Sequence, residues 1–223
     1  MSEYSSRWRD TFGRVDPTRT EADLAFLVGT LPLPAFARLL DVPCGTGRHL
    51  RPLRALGYDV TGVDVDPVAA GAAGHHALVG DMRELDGLPG DFDRVLNMWQ
   101  SFGYFDEPTN ERVLGSFARR LRPGGRLVLD LQNRAFFEPR SPSERALGGG
   151  VVERATFEAG RRRCELRYPD GELEVFDFQL YEPGELVELG ARHGLEPVLV
   201  EASADEPLLR LVLERTAPPQ TAA

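Results

Sequence analysis

Three aspartates in the first half of the chain each close a short apolar run, and their side chains are suited to ligand binding. They are Asp41, Asp64 and Asp81. Asp41 is followed by a turn that contains Gly45 and Gly47, and a helical segment follows this turn. Backbone N–H groups at the start of such a helix face whatever binds at the carboxyl edge of a parallel sheet. The spacing therefore predicts a nucleotide cofactor site at that edge.

The same residues discriminate between cofactors. A dinucleotide fingerprint requires a third glycine where Leu50 stands, and Asp41 would repel a pyrophosphate. A carboxylate at this position suits a ligand that carries an ammonium and a sulfonium group. Asp64 can accept hydrogen bonds from both hydroxyls of a ribose. Asp81 can accept one from an exocyclic adenine amine while Met82 packs on the ring.

Together these segments resemble the class I S-adenosylmethionine-dependent methyltransferase family. Residues 41–47 resemble its acidic-x-Gly-x-Gly-x-Gly motif, and residues 92–97 resemble its fourth-strand segment. Residues 121–130 match the stretch before and through its fifth strand. The resemblance covers residues 35–133 by motifs and residues 183–215 by topology alone. It implies S-adenosylmethionine as the cofactor and a small molecule as the methyl acceptor.

The resemblance also assigns residues to the cofactor site. Pro43 departs from the family pattern, because it stands where the family most often has its first glycine and has no backbone N–H to donate. The residues expected to bind the cofactor are Tyr4, Asp41, Pro43, Cys44, Gly45, Thr46, Gly47, Asp64, Val65, Asp81, Met82 and Asn97.

The segment after the fourth strand, residues 97–105, bears on the acceptor. It is similar to a subgroup of bacterial small-molecule methyltransferases and lacks the Asn-Pro-Pro-Tyr tetrapeptide associated with amide or nucleobase amines. Ser101 and Tyr104 are candidates to orient an acceptor, whereas Phe102 and Phe105 are expected to pack under the following helix.

Methyl transfer needs alignment more than it needs a base, because the donor supplies the reactivity. Tyr104 and His49 are the catalytic candidates, with His49 alternatively a helix-face histidine that touches the cofactor or nothing. Asn133 and Arg134, just past the fifth strand, are further candidates. The other histidines lack the spacing of metal ligands, so we expect no bound metal.

The elements that position these residues follow from the alternation of apolar runs and helical segments. The fold class is α/β: a doubly wound, Rossmann-like seven-stranded sheet, with a β-meander inserted after the fifth strand. The antiparallel last strand, and the position of the meander over the carboxyl edge, are implied by the resemblance. The predicted strands are 38–43, 60–64, 77–81, 92–98, 125–131, 197–201 and 208–214, with 151–157, 164–168 and 173–180 in the meander; the predicted helices are 67–76, 110–121 and 183–193.

The domain organisation follows from the same pattern. We expect an N-terminal helical cap over residues 1–34, a methyltransferase domain over 35–133 and 183–215, an inserted meander over 134–182 and a disordered tail over 216–223.

Two further features of the sequence have two interpretations each. Tyr4, Trp8 and Phe12 recur every four residues, which favours either docking on the core or a lid over the cofactor. The arginines at 161–163 are expected at a turn, solvated or clamping an anionic acceptor.

Composition limits the partners. The 223 residues carry a net charge of −9, and every basic residue is Arg, which excludes Schiff-base and P-loop lysines. Dispersed arginines on an acidic chain argue against nucleic acid. Two cysteines, no signal sequence and no apolar run of ~20 residues favour a cytoplasmic protein with no membrane segment. A homodimer, a non-catalytic S-adenosylmethionine-binding protein and an NAD(P)-dependent oxidoreductase remain open.

Overall fold

Two β-sheets organise the part of the chain that the computed structural model describes, namely residue 7, residues 11–12 and residues 15–217. The strands of the larger sheet are β1 (Arg38–Asp41), β2 (Asp59–Asp64), β3 (Ala77–Val79), β4 (Phe92–Asn97), β5 (Leu121–Gln132), β10 (Leu195–Glu201) and β11 (Leu208–Arg215). The smaller sheet contains β6 (Ser143–Gly148), β7 (Val151–Glu158), β8 (Arg161–Arg167) and β9 (Leu173–Gln179). The helices are α1 (Pro17–Thr30), α2 (Leu50–Ala55), α3 (Pro67–Ala73), α4 (Glu107–Arg120), α5 (Arg134–Phe137) and α6 (Pro183–Ala191).

The larger sheet has the strand order β10-β11-β5-β4-β1-β2-β3. Strands β1 to β5 pair in parallel, and β11 runs antiparallel to both β5 and β10. This confirms the doubly wound sheet and its antiparallel last strand. Because β1 pairs with β2 on one side and β4 on the other, the switch point of the topology lies beside β1, where ligands bind in open α/β sheets.

Helices cover both faces of this sheet, as continuous apolar strands require. Leu39 of β1 packs with Leu27 of α1 and Leu53 of α2 on one face. Its neighbour Leu40 packs with Phe117 of α4 on the other. Residues 127–129 of β5 alternate between the two faces in the same way. The period of two therefore directs alternate residues to opposite cores.

Helix α4 begins three residues before its predicted start. Asp106 caps it by accepting a hydrogen bond from the Thr109 N–H at 2.9 Å, and Pro108 lies in the first turn. A carboxylate cap followed by proline is a start signal that apolar periodicity alone does not reveal. Helix α3 ends at Ala73, three residues before its predicted end, because Gly74 adopts a φ of 100°.

The inserted sheet contains one strand more than the sequence predicts. Strand β6 is exposed and charged, so it lacks the alternation that identified its neighbours. The turn before β8 is formed by Ala159 and Gly160, which both have positive φ. The prediction that arginines 161–163 occupy a turn is therefore wrong, because they begin β8 and Arg162 faces the interior.

The inserted sheet packs against the carboxyl edge of the larger one. The Gln179 N–H at the end of β9 donates to the carbonyl of Gly103 at 2.7 Å. Gly103 has a φ of 104°, and a Cβ there would lie 2.2 Å from the Gln179 carbonyl oxygen. Glycine is required at this contact, which fixes the meander beside the segment that follows β4.

Near both ends of the chain, described residues contact the rest of the fold. Phe12 packs against Val151, Leu166 and Tyr168 of the inserted sheet, while Tyr4 and Trp8 lie outside the described residues. The Thr216 N–H donates to the Gly194 carbonyl at 2.9 Å, so this residue is ordered by the fold, and residues 218–223 lie outside the description. Within the described part of the chain, we find no helix with the length and apolarity needed to cross a membrane.

Candidate functional site

The glycine turn after β1 is held by hydrogen bonds to β2. Gly45, with a φ of 53°, donates its N–H to Oδ2 of Asp64 at 2.8 Å. Gly47 has a φ of 81°, and a Cβ there would lie 3.0 Å from Ala73 in α3. The turn thus needs glycine for its conformation and for the close approach of α3.

Asp41 ends β1 with a carboxylate that is 1% exposed. Neither of its oxygens has a hydrogen-bond partner among the described residues. Burial, with a smaller contribution from the nearby Asp64, raises the pKa of Asp41 to about 6 against the opposing effects of His49 and Arg48. A buried carboxylate without partners is costly, so this side chain is suited to receive a cation.

A second unsatisfied acceptor lies on the neighbouring strand. Asn97 ends β4, one residue past Leu96, which is the partner of Asp41 in the register of the parallel pair. Its Nδ2 donates to the Val42 carbonyl at 2.8 Å, while its buried Oδ1 has no partner among the described residues. Each of two adjacent strand ends at the switch point therefore carries a buried acceptor without a partner among the described residues.

The other two predicted aspartates are already hydrogen-bonded. Asp64 accepts from the Gly45 and Asp66 N–H groups, and burial raises its pKa against the effect of these bonds. Asp81 lies two residues past the end of β3, and its hydrogen bonds with Arg83 lower its pKa. Met82 is half-buried against the core.

A cluster of buried charges lies beside the glycine turn and was not predicted from the sequence. Asp23 of α1 and Asp130 of β5 are fully buried. Asp23 accepts hydrogen bonds from Arg48 and Arg210 at 2.8 and 2.9 Å. Arg19 binds both aspartates, at 2.8 Å each. These contacts attach α1 to the edge of the sheet next to the candidate site.

His49 belongs to this cluster. Its ring is 5% exposed, and its Nε2 lies 3.2 Å from Oδ2 of Asp23. The structure thus brings this predicted catalytic residue to the turn but directs one ring nitrogen toward the interior.

The backbone after β4 is strained where it passes the cluster. Trp99 and Gln100 both have a φ of 62°, which is uncommon for residues other than glycine. The Trp99 ring faces the guanidinium of Arg48 at 4.8 Å, and the Gln100 N–H donates to the Asp130 carbonyl at 2.8 Å. Nη2 of Arg48 is buried and has no partner within the described part of the chain. A cationic donor is therefore available near Asp41.

Tyr104 lies at the boundary between the two sheets. Its ring packs against Phe178 of β9, with 5.7 Å between the ring centroids. Phe102 is buried and Phe105 packs on the core, as expected. Ser101 donates to the Met98 carbonyl at 2.9 Å. Tyr104 therefore contacts the inserted sheet through its side chain, whereas Gly103 and Phe105 contact it through their backbone carbonyls.

The remaining candidates have structural partners. Asn133 caps α5 and donates to carbonyls of the loop before β11, and Arg134 forms ion pairs with Glu185 and Glu182. Burial raises the pKa of Cys44 and of Cys164 to about 12, so neither thiol is an activated nucleophile. In the described residues, we find no cluster of metal-ligating side chains.

Comparison with known proteins identifies the family. Residues 39–125 match the family described as a methyltransferase domain. A ubiquinone biosynthesis O-methyltransferase from Xanthomonas oryzae pv. oryzae (strain PXO99A) is 31% identical over 205 residues, which cover 82% of this chain and 83% of that protein. This chain belongs to the S-adenosylmethionine-dependent methyltransferase family. It is an enzyme, and its cofactor is S-adenosylmethionine.

The matches to other relatives of this methyltransferase cover different shares of the two chains. A dTDP-3-amino-3,4,6-trideoxy-alpha-D-glucopyranose N,N-dimethyltransferase from Streptomyces venezuelae is 28% identical over 179 residues, which cover 77% of this chain and 71% of that protein. The putative methyltransferase YqeM of Bacillus subtilis (strain 168) is 33% identical over 112 residues, and the match spans 44% of its length. S-adenosylmethionine-bound CalS10, an amino pentose methyltransferase from Micromonospora echinaspora, has the same fold, with a TM-score of 0.68 at 22% identity over 96% of this chain and 99% of that chain.

Proposed function

We propose that this methyltransferase transfers a methyl group from S-adenosylmethionine to an oxygen or nitrogen atom of a small molecule, with the donor bound at the carboxyl ends of β1, β2 and β4. The observation that carries the proposal is the buried, unpartnered carboxylate of Asp41 at the switch point. This carboxylate matches the ammonium group of the methionine moiety in charge and in hydrogen-bond polarity, and Asn97 offers an unpartnered amide oxygen at the end of the adjacent strand.

The other groups of the donor also find complementary residues. The buried Nη2 of Arg48 is suited to the carboxylate of the methionine moiety. Asp64 would accept hydrogen bonds from the ribose hydroxyls while its backbone bonds hold it in place. Asp81 and Met82 would contact the adenine, which requires Asp81 to be shared between the adenine amine and Arg83.

When bound, S-adenosylmethionine would supply a methyl group activated by its attachment to a positively charged sulfur. The protein's contribution is alignment and the exclusion of water. Tyr104 is the residue that we assign to the acceptor, because it lies between the two sheets. His49, held by Asp23, would orient the glycine turn rather than accept the proton.

The oxygen or nitrogen acceptor is a proposal supported by two relatives. The Xanthomonas relative is named as an O-methyltransferase and the Streptomyces relative as an N,N-dimethyltransferase of an amino sugar. The partly buried aromatic rings beside Tyr104 favour an acceptor with an apolar surface.

Two measurements test this function. The purified protein is incubated with S-adenosylmethionine and a library of phenols, hydroxy acids, amino acids and amino sugars, and mass spectrometry should detect one acceptor class in which a methyl group has replaced a hydrogen. Calorimetry with S-adenosylhomocysteine and NADH provides the control. Tighter binding of NADH, or donor binding without product from any acceptor class, would contradict the proposal.

A further inference from the structure

An Arg–Glu–Arg group lies between the inserted sheet and the carboxyl edge. Arg162 of β8 and Glu153 of β7 are 3% and 4% exposed, and their side chains form an ion pair at 2.7 Å. Arg145 of β6 binds the same carboxylate at 2.8 Å. Both oxygens of Glu153 are therefore occupied, and the group carries a net positive charge next to the interior.

The positive charge of Arg162 lies on a buried sheet face, where charged side chains are uncommon. Arg162 shares the buried face of β8 with Cys164 and Leu166, and its guanidinium lies 4.6 Å from the ring of Phe137. Apolar side chains of similar volume would stabilise such a face at least as well as a buried ion pair does. The charge is thus better explained by what it contacts than by stability.

Arg162 sets the polarity of a hydrogen-bond chain that leads out of the inserted sheet. Its Nη1 donates to Oε1 of Gln132 at 2.8 Å. Because a guanidinium only donates, the oxygen of the Gln132 amide must face it. The Nε2 of Gln132 then donates to Oε1 of Gln100 at 2.7 Å, which leaves the two N–H donors of Gln100 for a further acceptor.

This chain borders a small cavity at the junction of the two sheets. The cavity has a volume of about 10 Å³, about the space of one water molecule or one carboxylate oxygen, and its lining includes Gln100, Gln132, Phe178 and Tyr181. Gln100 is only three residues from Asn97 at the end of the donor-site strand. The Nε of Arg162 is also buried and lacks a partner among the described residues.

We propose that the cavity at the junction of the two sheets, with the side chains of Gln100, Gln132 and Arg162 beside it, is a subsite for a carboxylate group of the methyl acceptor. We call this subsite the corner. Gln100 is the specificity-determining residue that donates to the carboxylate, and Arg162 is the positioning residue that fixes the amide chain and supplies the positive potential. The identity of the ligand as the methyl acceptor rests on the proposed function. The preference of the corner for an anionic oxygen over a neutral one rests on the charge and polarity of these side chains alone.

The test uses the full chain and simple probes. Formate, acetate and benzoate are titrated into ¹⁵N-labelled protein saturated with S-adenosylhomocysteine, each in parallel with formamide, acetamide or benzamide. Carboxylates should shift the side-chain N–H₂ signals of Gln100, which are assigned by their absence in Gln100→Glu. At least one carboxylate should bind at least tenfold more tightly than its amide, the effect expected of a single charge-assisted hydrogen bond.

Variants separate the positioning role from a structural one. Arg162→Met should weaken carboxylate binding at least tenfold and leave S-adenosylhomocysteine affinity unchanged within twofold. Arg163→Met is the matched control, because Arg163 is the adjacent arginine on the exposed face of β8, and it should bind carboxylates as the wild type does. Gln100→Glu leaves the ion pair intact and should abolish carboxylate binding by charge repulsion, so the proposal stays testable if Arg162→Met unfolds.

Equal binding of carboxylates and amides, no shift of the Gln100 signals with any carboxylate, or equal losses in Arg162→Met and Arg163→Met would overturn the subsite. Failure of the proposed function is a separate result, because it would appear as absent S-adenosylhomocysteine binding in the wild type, whatever the carboxylate titration gives.

Discussion

Replacing Asp41 with asparagine should stabilise the fold, although the residue lies in the donor site. The carboxylate is 1% exposed and has no hydrogen-bond partner in the described residues. Burial raises its pKa to about 6 from an ordinary 3.8, which corresponds to about 3 kcal/mol of destabilisation when the group is charged. Asparagine keeps the shape of the side chain and removes the charge.

The raised pKa of Asp41 determines how the stability difference between wild type and Asp41→Asn changes with pH. A carboxyl whose pKa is higher in the folded protein binds protons more tightly when folded, so its stabilising contribution is complete below about pH 4 and is lost as the pH rises through 6. The advantage of Asp41→Asn in the free energy of unfolding should therefore be near its minimum at about pH 4. It should rise by about 3 kcal/mol in total as the pH increases to about 6 and beyond, and then level off.

Urea unfolding of wild type and Asp41→Asn at several pH values measures this difference directly. Asp205→Asn, which removes an exposed carboxylate from the loop before β11, is the matched control and should show little change with pH. The asparagine amide has a desolvation cost of its own, so the decisive quantity is how the advantage changes with pH. An advantage that is constant from pH 4 to 8, or a variant less stable at pH 8 than at pH 4 relative to wild type, would refute the reasoning.

Three further substitutions test the site and its support. Asp64→Ala should weaken S-adenosylhomocysteine binding at least tenfold in calorimetry, because charge-assisted bonds to the ribose are worth about 1.5 to 3 kcal/mol each; unchanged affinity would remove Asp64 from the site. Gly47→Ala should destabilise the protein by about 1 to 2 kcal/mol in urea unfolding because of its φ of 81°, whereas Gly71→Ala, in open space on α3, should stabilise it. Arg94→Met should leave the stability equal or higher, because the buried guanidinium lies between two aromatic rings and none of its nitrogens has a hydrogen-bond partner among the described residues; a loss above about 3 kcal/mol would contradict this.

The larger sheet was predictable because a short, continuous stretch of sequence identifies each of its parallel strands. Each parallel strand is an apolar run that closes on a polar residue, so Asp41, Asp64 and Asn97 could be assigned to one edge from their order in the chain. The start of β5 was predicted four residues late, at Gly125, because the Pro-Gly-Gly sequence indicates a turn. In the structure, Leu121 nevertheless pairs with Phe92.

The cluster of buried charges was not predictable, because its partners are far apart in the sequence. The pairs Arg19–Asp130 and Arg210–Asp23 join residues 111 and 187 positions apart, and no local pattern identifies such partners. The sequence predicts a turn at Arg162 because this residue falls between the predicted strands 151–157 and 164–168. Its burial depends on Glu153 of the neighbouring strand and on the amide of Gln132 in the other sheet.

The most direct test of the donor site is the affinity of S-adenosylmethionine for wild type and for Asp41→Asn, measured by calorimetry above pH 7. The wild type should bind, and the variant, although more stable, should bind about ten- to a hundredfold more weakly, because the ammonium loses a charge-assisted bond of about 1.5 to 3 kcal/mol. Equal affinities in two folded proteins would contradict the assignment of the donor's ammonium group to Asp41.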